Sequence, residues 1–227
     1  AKGGAWTYNA DKMRLIARLS DSQNAVKHRS QTGKLSPTEV VQSVRELVEQ
    51  HPGIREYMLC LNALGKGQMW EEAIHLLGHM DGSNVPADEF VFNKLISVAA
   101  GSEQGLQAEW LLQEMWARGL HADTRACNTA VGALAKGGAW QRVLGLLSGM
   151  AERGLESDLV TCNSAISACA NGGEWERALQ LLQQAEKPDV ISYTAMVGAC
   201  KEAGLWQLSL RLLEEMRQVG LAPNERT

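Results

Sequence analysis

Residues 126–158, ACNTAVGALAKGGAWQRVLGLLSGMAERGLESD, read as two helices and the signals that separate them. Ala135-Lys136 close the first helix, Gly137-Gly138 turn the chain, and Trp140 opens the second. Glycine takes the left-handed conformation that ends a helix without the steric cost other residues meet. Gly154-Leu155 is a second stop, a glycine past the last turn with a hydrophobic residue behind it, and Asp158 suits a turn or N-cap before the next helix. The next stretch, TCNSAISACANGG at 161–173, repeats the pattern: Cys162, Ala165, Ile166 and Cys169 form one apolar stripe at helical spacing.

The pattern recurs along the chain. Trp70, Trp140 and Trp175 are spaced by 70 and 35 residues, and Met80, Met115 and Met150 by 35 each. GKGQMW at 65–70 and ANGGEW at 170–175 fill the hinge slot of AKGGAW at 135–140. Aligned on these marks, five repeats cover 54–88, 89–123, 124–158, 159–189 and 190–224; the fourth, of 31 residues, is shortened between Leu182 and Pro188. A hairpin of about 35 residues cannot bury both apolar faces alone, so hairpins must stack. The expected fold is all-α, a right-handed α-solenoid of stacked helical hairpins whose first helices line a concave surface. Residues 1–35 form a basic non-repeat segment, 36–53 a degenerate half-repeat or capping helix, and 225–227 the start of a further repeat. More repeat sequence, or a docked partner, is expected at that end. AKGGAW also stands at 1–6, followed by TYNADKMRLIARL rather than a second-helix face; it is the scar of an eroded repeat or a chance likeness.

Composition narrows the function classes. Seven Trp, eight Met and many Leu and Ala against five Pro, three Tyr and two Phe favour helix. No apolar run approaches the roughly 20 residues that span a bilayer. The start lacks both a Met and the apolar core of a secretory signal, so a processed chain, its targeting peptide removed, is expected. The five cysteines show no CxxC or CxH spacing; in the repeat register they fall in apolar columns, as core fillers in a reducing compartment. His75 and His79, four apart on a second helix, have no HExxH glutamate between them and sit at outer-face positions expected to be solvated. No phosphate-cradling glycine loop or nucleophile elbow occurs, so neither enzyme activity, cofactor nor metal is expected. Net charge is −4, with seven Lys/Arg and two Asp in residues 1–35 and an acidic remainder. Trp110, outside the repeated tryptophan column, is a candidate protein-contact anchor on the outer face.

The segments ACNTAVGALAKGGAWQRVLGLLSGMAERGLESD and SYTAMVGACKEAGLWQLSLRLLEEMRQVGLAPN resemble pentatricopeptide repeats. The 35-residue length, the [TC]-[YC]-N opening, the ALxLLxxM second helix and the GLxPD-type ending carry the likeness, which covers residues 54–224. The 31-residue repeat resembles the family's short variant, and the 34-residue tetratricopeptide pattern fits less well. The resemblance implies single-stranded RNA binding in an organelle (chloroplast or mitochondrion), one base per repeat. The fifth and last residues of each repeat would contact base edges: Met58 with Asp88, Asn93 with Asp123, Asn128 with Asp158, Asn163 with Asp189, and Thr194 with Asn224. The family's code would read x-U-U-U-A, a U-rich target, with Met58 departing from the pattern. The second residues, Arg55, Phe90, Arg125, Val160 and Ile191, would sandwich the bases, and Lys66 and Lys136 would approach phosphates. The Asp/Asn column has a simpler alternative, that each residue only caps the next helix. The acidic body favours another function, a structural or assembly subunit gripping protein subunits of a larger organelle complex.

Overall fold

The computed structural model describes residues 15–17, 19, 36–50, 52–185 and 187–224. The basic segment, apart from helical residues Leu15, Ile16, Ala17 and Leu19, lies outside the described residues, as do AKGGAW at 1–6 and residues 225–227. Everything described is helix, turn or connecting chain. The chain forms two compact lobes, Ala1–Ser102 and Glu103–Thr227.

In the N-terminal lobe, α1 (Pro37–Val48) starts at Ser36, whose hydroxyl accepts from the Glu39 N–H at 3.3 Å while the Glu39 carboxylate accepts from the Ser36 N–H at 2.7 Å. The hairpin of α2 (Ile54–Lys66) and α3 (Trp70–Gly82) follows, and α4 (Glu89–Gly101) packs on both of its helices. Tyr57, Leu61, Leu64, Met80, Phe92 and Ile96 are fully buried between them.

The C-terminal lobe contains α5 (Gly105–Ala117), α6 (Thr124–Lys136), α7 (Trp140–Glu152), α8 (Leu159–Asn171), α9 (Trp175–Gln184), α10 (Val190–Glu202) and α11 (Trp206–Gln218). α6, α8 and α10 pack side by side as an inner row, and α7 and α9 each lie against the inner helix before and after them. Small residues permit this closeness. A Cβ on Gly105 would lie 2.8 Å from the Ala133 carbonyl oxygen and 2.9 Å from Leu134 Cα. The recurring methionines are core: Met80, Met115 and Met150 are at most 1% exposed. Tyr193, Met196, Cys200, Leu212 and Met216 build the core around α10 and α11, with Ile166, Cys169 and Leu182 from the preceding hairpin.

Local signals fix the ends of these helices. Asp88, Asp123, Asp158 and Asp189 each adopt the extended N-cap conformation and accept a backbone N–H, at 3.0 Å from Val91, 2.8 Å from Ala126, 2.8 Å from Thr161 and 2.9 Å from Ser192. Gly138 and Gly173 take φ of 69° and 77°, and in the corresponding hinges Gln68 and Glu103 take φ of 55° and 59°. The left-handed turn therefore persists where the glycine does not.

Candidate nucleic-acid interface

The column of N-cap aspartates and the column of fifth residues meet in the inner row. In the cap of α8, the Asp158 carboxylate divides its work: Oδ1 accepts from the Thr161 N–H and hydroxyl, both at 2.8 Å, and Oδ2 accepts from Asn128 Nδ2 at 2.6 Å. A carboxylate only accepts, so this bond fixes which end of the Asn128 amide faces Asp158. Asn128 Oδ1 is left buried and without a partner. Asp158 thus caps α8 and holds the Asn128 amide at once, because a carboxylate has two oxygens.

Asn163 has a different setting. Its Nδ2 donates to Asp189 Oδ1 at 3.1 Å, and its Oδ1 accepts from the Ser192 hydroxyl in a short hydrogen bond, so both ends of the amide are engaged. Asn163 is buried, and Ser192 is wholly inaccessible to solvent. Burial pushes the Asp189 carboxyl up, but donors from Ser192, Asn163 and Ile191 outweigh it and hold its pKa below the usual value. Val160 and Ile191 stand 68% and 61% exposed beside this pair, and with Lys136 they line a hollow of about 420 Å³ that Asn163 and Asp189 also border. Arg125 is exposed on α6. Thr194 donates its hydroxyl to the Val190 carbonyl at 2.6 Å, and Asn224 is exposed beyond α11.

In the N-terminal lobe, Met58 lies in an apolar hollow of about 520 Å³ with Arg55, Leu59, Asp88 and Phe90, the last 74% exposed. Lys66 lines a second hollow, of about 350 Å³, together with Asn62, Lys94 and Ser97. Lys94, Ser97 and Asn62 lie outside the columns the repeat comparison singles out, so nothing in the sequence groups them with Lys66. Asn93 is half-buried on α4 and its Oδ1 has no partner; Asp123 belongs to the other lobe, where it caps α6.

Two expectations about side groups are revised or filled in. His79 is not simply solvated: its Nδ1 meets the Tyr57 hydroxyl at 2.6 Å and the Ser83 hydroxyl at 3.3 Å. Glu215 occupies the same role for Tyr193, whose hydroxyl donates to it at 3.1 Å, so this outer-face column anchors a buried tyrosine. Burial and the Glu56 charge push the Cys60 thiol up to about 12, and burial with Asp123 pushes Cys127 up to about 11, so both are packing groups rather than nucleophiles. Among the described residues no group of three or more His, Cys, Asp or Glu is placed to hold a metal ion, and no helix is long and apolar enough to cross a membrane.

Comparison with known proteins supplies the family. The sequence profile of the pentatricopeptide repeat domain matches residues 145–188 and 183–227, and that of the PPR repeat matches 57–85. The chain is a pentatricopeptide repeat protein. A search of curated protein sequences finds no match. Among solved structures, it is similar to the pentatricopeptide repeat protein PPR10 in complex with an 18-nt psaJ RNA element, with 19% identity over 97% of this chain and 34% of that one and a TM-score of 0.62. It is similar to PPR10 from maize, with 22% identity over 96% and 35% and a TM-score of 0.61. The PPR domain of Arabidopsis thaliana protein-only RNase P 1 in complex with tRNA matches at 12% identity over 80% and 93%, with a TM-score of 0.61. These likenesses show the stacked-hairpin fold expected from the sequence. The chain spans about a third of the length of the PPR10 chains.

Proposed function

We propose that this protein binds a short single-stranded RNA along its first helices, one base per repeat in the five-repeat register, and acts by occupancy rather than by catalysis. Protection, processing or translation of a transcript would follow from that occupancy. The observation that carries the reading is Asn128: its amide is aimed by Asp158, and its buried Oδ1 lacks the partner that buried acceptors ordinarily have. Uracil offers an N3–H beside a carbonyl, the complement of an amide presenting an acceptor beside its second N–H. Arg125, Val160, Ile191 and Phe90 supply exposed planes and aliphatic surfaces for stacking, and Lys66, Lys94 and Lys136 supply charge for phosphates. Relatives of the same fold are seen with RNA, PPR10 with a psaJ element and the RNase P domain with tRNA. An organelle, chloroplast or mitochondrion, is the proposed home on the family resemblance alone.

Titration of the 227-residue chain against labelled U-rich RNA and an unrelated RNA at two salt concentrations tests the reading. Preferential binding of the U-rich strand is expected; equal binding of both, or none near physiological salt, would overturn it. A second reading, a scaffold that grips protein subunits, is favoured by the net charge of −4 and by Leu106 and Trp110, which are 52% and 47% exposed. Ribonuclease-insensitive co-purification with a large complex is the outcome it expects.

A further inference from the structure

The same Asn–Asp pair occurs twice in the inner row of the C-terminal lobe, and in only one copy is the amide oxygen without a partner. The difference lies in the third residue of the following helix. Thr161 keeps its hydroxyl inside the cap of α8, donating to Asp158 Oδ1 at 2.8 Å, and leaves Asn128 alone. Ser192, at the same place in α10, accepts from the Asp189 N–H at 3.1 Å and turns its hydroxyl to Asn163. Asp189 Oδ1 also lies 3.1 Å from that hydroxyl, but it already accepts from the N–H groups of Ile191 and Ser192, both at 2.9 Å. Asn163 Oδ1 has no other donor of its own. Turning the amide over would set Oδ1 against the Asp189 carboxylate, acceptor to acceptor, so the arrangement is locked. The stacking surfaces remain in place: Val160 and Ile191 are exposed beside the hollow that Asn163 borders.

We propose that Ser192 is a specificity-determining residue: by engaging Asn163 it withholds that acceptor from RNA, so the position between Val160 and Ile191 stacks any base without reading its edge. The neighbouring Asn128 position discriminates. The inference rests on the RNA-binding reading above and corrects, for this chain, the uridine preference that the pair Asn163 and Asp189 would otherwise imply.

The test is a nucleotide scan of a U-rich oligomer, each U replaced in turn by A, against the 227-residue chain. The nucleotide facing Asn128 is identified as the one whose substitution penalty vanishes in Asn128→Ala. In the unaltered protein the nucleotide facing the next repeat should tolerate replacement within about twofold. Ser192→Ala should raise discrimination there to about tenfold, the size of one specific base contact, and Ser192→Ala with Asn163→Ala should abolish the gain. Asn163→Ala alone, which does not depend on Ser192→Ala folding, should leave the unaltered pattern unchanged. The proposal is overturned if Asn163→Ala costs as much discrimination as Asn128→Ala, or if folded Ser192→Ala gains none while the Asn128 position still discriminates. Absence of discrimination at every position overturns the RNA-reading function and this proposal with it.

Discussion

The two lobes build the same hairpin and present different inner faces. In the N-terminal lobe, Arg55, Met58 and Phe90 wall a hollow almost entirely with carbon, and Lys66 and Lys94 line another. In the C-terminal lobe the fifth positions carry Asn128 and Asn163, each tied to an aspartate that also caps a helix. An apolar hollow takes a base face, and every base has one, so such a surface binds without choosing. An amide held in one orientation chooses, because a wrong edge leaves a buried polar group unpaired. On the RNA-binding reading proposed above, one scaffold would carry sequence-tolerant and sequence-reading surfaces, with Met58 and Asn128 as the contrast between repeats; Asn93, in the N-terminal lobe, carries the same amide as Asn128.

The largest expected effects fall on the shared scaffold. Phe92 and Tyr193 hold the same column in the two lobes and are at most 1% exposed. Phe92→Ala should cost about 3–5 kcal/mol, measured by urea denaturation, with hydrogen exchange locating the loss on α2 and α4. Tyr193→Phe removes only the bond to Glu215 and should cost about 0.5–1.5 kcal/mol. Similar costs for the two would show that the column depends on its polar tip rather than on ring packing.

Next come the side chains that distinguish the lobes. Asn128→Ala should weaken binding of a U-rich strand by about 1–3 kcal/mol and flatten the preference at one nucleotide. Met58→Asn makes the converse change. Asp88 Oδ1 accepts from the Val91 N–H as Asp158 Oδ1 does from Thr161, so the introduced amide should gain several-fold discrimination at the nucleotide it faces, read by competition binding. Failure to gain it would show that the N-terminal hollow lacks more than an amide.

Much of this was legible in the sequence for definite reasons. The hinge at Gly137-Gly138 and the opening at Trp140 are local chemistry, and the structure turns at Gly138 and starts α7 at Trp140. The aspartate column was legible as caps because an N-cap needs only its own neighbours along the chain. The fate of Asn163 was not. A repeat alignment makes Asn128 and Asn163 equivalent; they part through Ser192, 29 residues away on another helix. Thr161 and Ser192 look interchangeable in sequence, yet the Thr161 hydroxyl donates to its cap aspartate while the Ser192 hydroxyl, which accepts from the Asp189 N–H within its own cap, donates to Asn163 on the neighbouring helix. Lys94 was missed for a similar reason: its stem passes over Gly65, with Nζ 3.9 Å from where a Cβ would stand there, and only the fold brings these residues together.

Charge gives a smaller contrast. Lys66→Ala and Lys94→Ala should each reduce the salt slope of RNA binding by about 1 and weaken all sequences alike, read from titrations at several salt concentrations. A sequence-dependent loss would assign these lysines to base edges rather than phosphates and would count against the proposed division between the lobes.

The subtlest contrast is between an aspartate that caps and one that also closes a network. Burial pushes Asp189 up, but the N–H groups of Ser192 and Ile191, the Ser192 hydroxyl and the Asn163 amide outweigh it and hold the folded pKa below that of the unfolded chain, which is about 3.9. A carboxyl depressed in this way binds its proton more weakly when folded. Its stabilisation is therefore complete above the unfolded pKa and is lost as pH falls from there through the folded value. Urea denaturation at pH 7, 4 and 3 should show the unaltered protein losing stability across that acid window. Asp189→Asn should start lower at pH 7 and lose less on the way down. Parallel losses would place the acid sensitivity elsewhere and reduce Asp189 to an ordinary cap. Convergence of the two curves would show that the ionised carboxylate sustains the network in which Ser192 and Asn163 take part.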